Sequence, residues 1–229
     1  MNFLKNKKVM GFLVFLVIVI ILAVSLSSGA LKFNITATRT PSTETTTTTG
    51  NEFETEQSVT KMPQKQKPVL ADRATTFKNA EGNLEFSIRL PIGWAVAEDE
   101  RLDFVAGSLV SEKLPDGGTF NANINAIVGT HPSGFSTFSD YQEKWKNDTL
   151  AEFPSMEVVS DYSTSIGNMD VYVIEVDNAH PNGMLLRQIQ YIFYVTDTHA
   201  MIVTVTAPLN SWETYDEATK KSVESIEQL

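Results

Sequence analysis

The sequence predicts an α+β fold, an antiparallel β-sheet sandwiched between helices, preceded by a transmembrane helix and a disordered linker. Three observations carry this expectation. Strand-like stretches late in the chain are apolar on both faces: Val171 and Val173 oppose Tyr172, Ile174 and Val176, and Met201, Val203 and Val205 oppose Ile202. A sheet apolar on both sides needs cover on both sides. Two amphipathic segments, about 137–153 and 210–226, can supply it. Ahead of them lie an apolar run and a threonine-rich stretch, neither of which reads as globular.

Taken in order, the first element is a membrane anchor over residues 1–31. Lys5, Lys7 and Lys8 precede the run Val9 to Leu26, which contains a single Ser and continues to Leu31. About 20 apolar residues span a bilayer as a helix. The lysines outweigh Lys32 and Arg39, so the N-terminus is expected in the cytoplasm and the rest of the chain outside. Ser28-Gly29-Ala30 resembles a signal-peptide cleavage site. The apolar stretch is longer than a usual signal core, which favours an uncleaved signal-anchor; cleavage after Ala30 would give a secreted protein. The bilayer is thus the first expected partner, through residues 9–31.

Residues 32–76 read as a flexible linker, with nine Thr between Thr36 and Thr49 and the polar run Lys61 to Pro68. Too few apolar side chains are present to offset the entropy of ordering, so no secondary structure is assigned. A coil of this length has a root-mean-square span of roughly 35–40 Å. Such a stalk lifts the C-terminal region clear of the membrane. Its Thr/Pro composition suits O-glycosylation, and Asn34-Ile-Thr36 and Asn147-Asp-Thr149 match the N-glycosylation triplet.

Residues 77–229 form the globular domain, long enough to fold without a disulfide or metal. The chain has no cysteine, which excludes thiol nucleophiles, Cys-ligated zinc and attachment through a lipidated cysteine. Nine basic and 23 acidic residues give this domain a net charge of −14, against −10 for the whole chain. That surface repels phosphate backbones, so nucleic acid is not expected as a partner; a basic protein surface or a cation suits it better.

Leu84, Phe86, Ile88 and Leu90 alternate with Glu85, Ser87 and Arg89, predicting a strand with one wet face before a turn at Pro91-Ile-Gly-Trp94. A second strand is expected over Phe104 to Val110 and a third over Thr119 to Val128, with Asp116-Gly117-Gly118 as the hairpin between them. In the third, Phe120, Ala122, Ile124, Ala126 and Val128 face one way, and Asn121, Asn123 and Asn125 the other. A helix follows over Thr137 to Phe153, with a capping-box spacing at Ser139 and Gln142 and a stripe of Phe138, Tyr141 and Trp145; Pro154 stops it. Four strands are expected over Val158 to Ser165, Met169 to Val176, Leu185 to Val195 and Ala200 to Ala207, as an antiparallel meander. Asn210 with Glu213 opens a last helix with the stripe Trp212, Tyr215, Thr219, Val223 and Ile226.

The opening Leu84-Glu-Phe-Ser-Ile-Arg-Leu-Pro-Ile-Gly-Trp94 resembles the strand and Pro-x-Gly-Trp start of PsbP-like domains. The stretch Phe120-Asn-Ala-Asn-Ile-Asn-Ala-Ile-Val128 is similar to that family's Asn-containing strand before its first long helix. The ending is similar too: a Thr-rich strand, Ala207-Pro208, a Trp-bearing helix and Ser225-Ile226. The resemblance covers residues 77–229. It implies an α/β/α sandwich and a non-enzymatic, protein-contacting role, and it carries no functional residue over, because relatives on this scaffold do unrelated jobs.

No catalytic constellation stands out. Neither His131-Pro-Ser-Gly134 nor Ser165-Ile-Gly167 is a nucleophile elbow, and His131, His180 and His199 all fall in expected surface turns. The acidic run Glu98 to Asp103 lacks the glycine and ligand spacing of a calcium loop, and Asp177-Asn-Ala-His180 is equally non-committal. Trp94, Trp145 and Trp212 are expected in the core. The row Asn121, Asn123 and Asn125 remains, three amides that period-two spacing puts on one strand face as a candidate ligand or partner face. The alternative is a helix-covered face with satisfied amides. Catalytic residue, metal and cofactor are all expected to be none. The function expected is a non-enzymatic, membrane-anchored extracytoplasmic module for protein binding or assembly, with an unidentified protein partner. The alternative is an extracytoplasmic sensor of a small molecule or cation.

Overall fold

The structure is a computed structural model, and it describes residues 69–113, 117–130, 137–152, 156–179 and 183–229. The anchor at 9–31, the linker up to 68, His131 and His180 lie outside the described residues. Among the described residues, no helix is long and apolar enough to cross a membrane.

Seven antiparallel strands form the main sheet. They are β3 (Trp94–Ala97), β4 (Phe104–Ser108), β7 (Asn123–Thr130), β8 (Glu157–Ile166), β9 (Met169–Ala179), β10 (Leu185–Thr196) and β11 (His199–Pro208), in the order β3-β4-β7-β11-β10-β9-β8. Strands β8 to β11 are the expected meander. The β8–β9 hairpin closes through a two-residue turn, with Ile166 opposite Met169 and Gly167 at φ +58°. Only glycine occupies that left-handed region without cost.

One face of the sheet is covered by helix α1 (Phe138–Glu152), whose Tyr141 and Trp145 pack with Ile127, Tyr172, Ile174, Ile192 and Ile202. The other face is covered by helix α2 (Trp212–Glu224) and by a small sheet. That sheet consists of β1 (Thr75–Lys78), β2 (Glu85–Ile88) and β12 (Glu227–Gln228), in the order β1-β2-β12. Phe77, Phe86, Ile88, Trp212, Val223 and Ile226 pack there against the inward residues of β7, β9, β10 and β11. The fold is the expected antiparallel sheet between helices, with one layer richer than the sequence suggested.

Several local expectations are corrected. The strand at 84–90 is not in the main sheet, and its expected wet face is partly closed: Ser87 is buried where β1 and β12 flank β2. The expected strand 119–128 breaks at 121–122 into β6 (Thr119–Phe120) and β7. Strand β6 pairs only with β5 (Glu112–Lys113), and Phe120 leaves the main core to pack with Leu186 and Met184. Helix α1 is opened by Thr137, whose hydroxyl accepts the Asp140 N–H at 3.1 Å, and not by Ser139. Asn210 opens no helix: residues Leu209–Ser211 form a 3₁₀ turn, and the Ser211 hydroxyl donates to Glu112 at 2.6 Å instead of capping α2.

Candidate functional site

The three asparagines end up in different places. Asn123 and Asn125 lie on the α1 face of β7, 2% and 1% exposed. Asn121 sits at the break before β7, partly exposed, and donates its amide to the Ser108 carbonyl at 2.7 Å. Asn123 donates to the Asn121 carbonyl at 3.2 Å, and Asn125 to the Asn123 side-chain oxygen at 3.4 Å. The row is thus a one-way chain of amides leading from the β4 edge into the covered interior.

The register extends this row across the sheet. Asn123 stands opposite Thr206, which stands opposite Gln188; Asn125 stands opposite Thr204, which stands opposite Gln190. All six side chains are 2% exposed or less. Beyond β10 both rows turn apolar, at Val176 and Ile174, and the next row along the strands is Ile127, Ile202, Ile192 and Tyr172. A block of amides and hydroxyls is therefore set into one end of an otherwise apolar face.

Helix α1 lies over this block. Phe138 meets the Tyr194 ring at 5.4 Å near one end of β10, and the Trp145 Nε1–H donates to Gln190 Oε1 at 3.3 Å. The helix therefore runs antiparallel to β10. One helical turn beyond Trp145, about 5–6 Å, matches the two-residue step from Gln190 to Gln188, which carries buried Thr149 towards the Gln188 row.

Five buried oxygens around this block have no hydrogen-bond partner among the described residues: Asn125 Oδ1, Gln188 Oε1 and the hydroxyls of Thr149, Thr204 and Thr206. Each unsatisfied buried group costs about 1–3 kcal/mol. Sequence reasoning found the asparagines and missed Gln188, Gln190, Thr204, Thr206 and Thr149. The missed signal was polar residues at period two inside β10 and β11, which are otherwise apolar.

Elsewhere among the described residues two more buried polar atoms, His199 Nε2 and Asp216 Oδ1, have no hydrogen-bond partner, and both lie beside a charged group, Glu81 and Lys220. Arg187 bonds Asp177 at 2.8 and 2.9 Å and Glu175 at 3.0 Å, and its guanidinium lies 5.9 Å from the Trp212 ring centre. The Asp177 hydrogen bonds foremost raise its pKa further. Asp99 is committed to Arg101, whose hydrogen bond lowers its pKa. Asp103 is half-buried; burial raises its pKa, although its carboxylate accepts the Val128 N–H at 2.7 Å. His199 starts β11, its side chain largely covered, with Nε2 3.8 Å from Glu81. No group of three or more metal-ligating side chains occurs among the described residues. Trp145 and Trp212 are core residues as expected, and Trp94 is half-buried with its ring edge-on to Tyr215.

At the opposite edge of the sheet, β8 pairs, among the described residues, only with β9, so its ten residues form an edge strand. Val159 and Tyr162 there are 45% and 48% exposed, and the pairing shifts register between Val158 and Ser160.

Among solved structures, LpqN of Mycobacterium tuberculosis, described as involved in cell envelope biogenesis, superposes with a TM-score of 0.51. The alignment covers 69% of this chain and 92% of LpqN at 11% identity. The chain shares its fold with LpqN. At that identity the likeness extends to the fold and no further. The cyanobacterial PsbP of Synechocystis superposes more loosely, with a TM-score of 0.46, 10% identity, and coverage of 68% of this chain and 92% of that one. A protein of unknown function from Pseudomonas aeruginosa, PA94, gives a TM-score of 0.42 at 16% identity, over 66% and 94% of the two chains. No protein-family model and no curated protein matches the chain.

Proposed function

We propose that this protein is a non-enzymatic binding module of the cell envelope, held outside the membrane by residues 9–31 and the linker 32–76, and that it docks an extended segment of a partner protein on β8. The open edge of β8 is the observation that carries this reading. An unpaired edge offers a row of backbone donors and acceptors to an incoming strand. Glu157, Asp161 and the register shift between Val158 and Ser160 work against pairing with another acidic copy of this chain and leave the edge suited to a basic segment. The exposed Val159 and Tyr162 would supply side-chain contacts. With 23 acidic against nine basic residues in residues 77–229, the partner segment should be basic. The description of LpqN as an envelope-biogenesis protein supports the setting. The resemblance to PsbP-like domains, read from the sequence, supports a protein-contacting role.

A photo-crosslinking residue placed at Tyr162 in the full-length protein, in intact membranes, tests this. A discrete adduct is expected that weakens as salt is raised and disappears when Val159 is replaced by Lys. Adducts spread evenly over all surface positions, or none at Tyr162, would remove the reading. An adduct between two copies of the chain would replace the foreign partner with self-association.

A further inference from the structure

We infer that the polar block beneath α1 is a binding site for a small, neutral, hydroxyl-rich molecule, a polyol or simple sugar. The inference goes beyond the β8 reading and does not depend on it, since β9 and the apolar ends of both rows separate the block from β8.

Three features set the ligand class. The first is the neutrality of the block: Asn123, Asn125, Gln188, Gln190, Thr204 and Thr206 carry no charge. A charged ligand would lose its hydration there without gaining a counter-ion. The second is the inventory of unpaired atoms. Asn125 Oδ1 and Gln188 Oε1 accept only, whereas the hydroxyls of Thr149, Thr204 and Thr206 both donate and accept. A ligand hydroxyl also does both, so a molecule with several hydroxyls can serve every one of these atoms. The third is placement. The unpaired atoms come from three elements, β7, the β10–β11 pair and α1, so a molecule held among them touches helix and sheet together.

The arrangement is specific to this region. The remainder of the α1 face is closed by Ile127, Tyr172, Ile174, Ile192 and Ile202, which offer side-chain hydrogen bonds only at the Tyr172 hydroxyl, already donated to Asp161 at 2.9 Å. Sheet faces that exist only to pack against a helix are apolar throughout. Here one end is apolar and the other is equipped to hydrogen-bond something.

The test is a thermal-shift titration of the full-length protein in detergent with myo-inositol, D-glucose and glycerol, and with gluconate as a charged analogue of glucose. At about ten times Kd, a site binding only the folded state should raise Tm by about 3–5 °C, and the shift should follow the logarithm of ligand concentration rather than the linear rise of an excluded osmolyte. At least one neutral probe is expected to do so, and gluconate is not. Thr204→Val and Thr149→Val should weaken binding at least tenfold, while Thr149→Ser, which keeps the hydroxyl, should retain it. The Ser variant keeps the test decisive should either Val variant fail to fold. Side-chain amide NMR signals of Asn125 and Gln188 should move with the same Kd.

Three results overturn the proposal. One is no shift beyond the linear, variant-independent rise of an excluded osmolyte with any neutral probe, the block then holding ordered water only. Another is equal binding of gluconate, which refutes the neutral class. The last is undiminished binding in Thr204→Val, which puts the ligand elsewhere. None of these bears on the Tyr162 crosslink, so failure of this proposal and failure of the β8 reading are separately visible.

Discussion

Trp145 ties the helix layer to the sheet by two means at once, through ring packing and through the hydrogen bond its indole donates to Gln190. Replacing it by Phe keeps an aromatic ring but shortens it and leaves Gln190 Oε1 unpaired in the interior. A loss of about 2–4 kcal/mol is expected, the sum of a small cavity and an orphaned acceptor. Urea unfolding monitored by circular dichroism measures it, and a loss under about 1 kcal/mol would mean that the bond contributes little. Asp103 behaves in the opposite sense. Burial raises its pKa, so the fold favours the neutral carboxyl over the charged one. The stabilising contribution of such an acid is complete below its unfolded pKa, near 3.9, and is lost as pH rises through the higher folded value. At pH 7 the group is therefore a burden. The carboxylate accepts from the Ala80 N–H as well as from Val128, and Asp103→Asn keeps one acceptor oxygen in place of two; with the buried charge removed it is still expected to raise the urea midpoint at pH 7, by less than the burial of the charge costs. The gain should vanish towards pH 3, and a lower midpoint at pH 7 would show that the charged carboxylate is the favoured form.

Among the elements, the β8–β9 hairpin depends on a single backbone conformation. Gly167 sits at φ +58° in a two-residue turn, where a side chain costs about 1–2 kcal/mol. A Cβ added there meets only the Ile226 carbonyl, at 3.9 Å, so the cost of Gly167→Ala is conformational and not steric. Chemical denaturation should register that loss, with the fold unchanged by far-ultraviolet circular dichroism. The four strands of the meander are legible because stretches rich in apolar, aromatic and β-branched residues are bounded by Gly167, Gly183 and Asp197, turn residues with a mechanism. The third strand was misread where alternation persists through Phe120 and Ala122 although the backbone leaves the sheet there. Period two describes side-chain direction and cannot register a break in pairing. The helix starts were misassigned for a related reason. Thr137, Ser139, Asn210 and Ser211 are all competent caps, and tertiary contacts such as the Ser211–Glu112 bond decided between them. The second sheet was invisible as such, because β1 and β12 contribute four and two residues, too short for any periodicity. The candidate site was half legible. Three asparagines close together in sequence draw the eye, whereas Gln188, Gln190, Thr204 and Thr206 join them only through a register that sets Asn125 beside Thr204 and Asn123 beside Thr206, about 80 positions away in sequence.

At the scale of the molecule, charge and chain order suggest how the parts cooperate. The anchor read at residues 9–31 has more positive charge before it, at Lys5, Lys7 and Lys8, than just after it, at Lys32 and Arg39, and the domain read beyond the linker is strongly acidic. In the topology proposed above, an acidic domain close to an anionic bilayer is repelled by it. The expected linker ends earlier than Thr76, since Leu70 bridges Pro91 and β1 starts at Thr75, but a coil over 32–68 still lets the domain stand off by more than the Debye length of about 8 Å at physiological salt. The domain should therefore be approachable by protease from outside, with cleavage expected first in the linker, because the described strands are paired and the two described helices are packed on the sheet. Treatment of intact cells with proteinase K is accordingly expected to release a fragment of about 17–18 kDa (at roughly 110 Da per residue), retaining the cooperative unfolding of the parent chain, while a cytoplasmic control protein stays whole. Protection of the full-length protein in intact cells, with cleavage only after lysis, would place the domain on the inner side of the membrane. It would also remove the physical setting in which an open, exposed β8 edge meets an envelope partner.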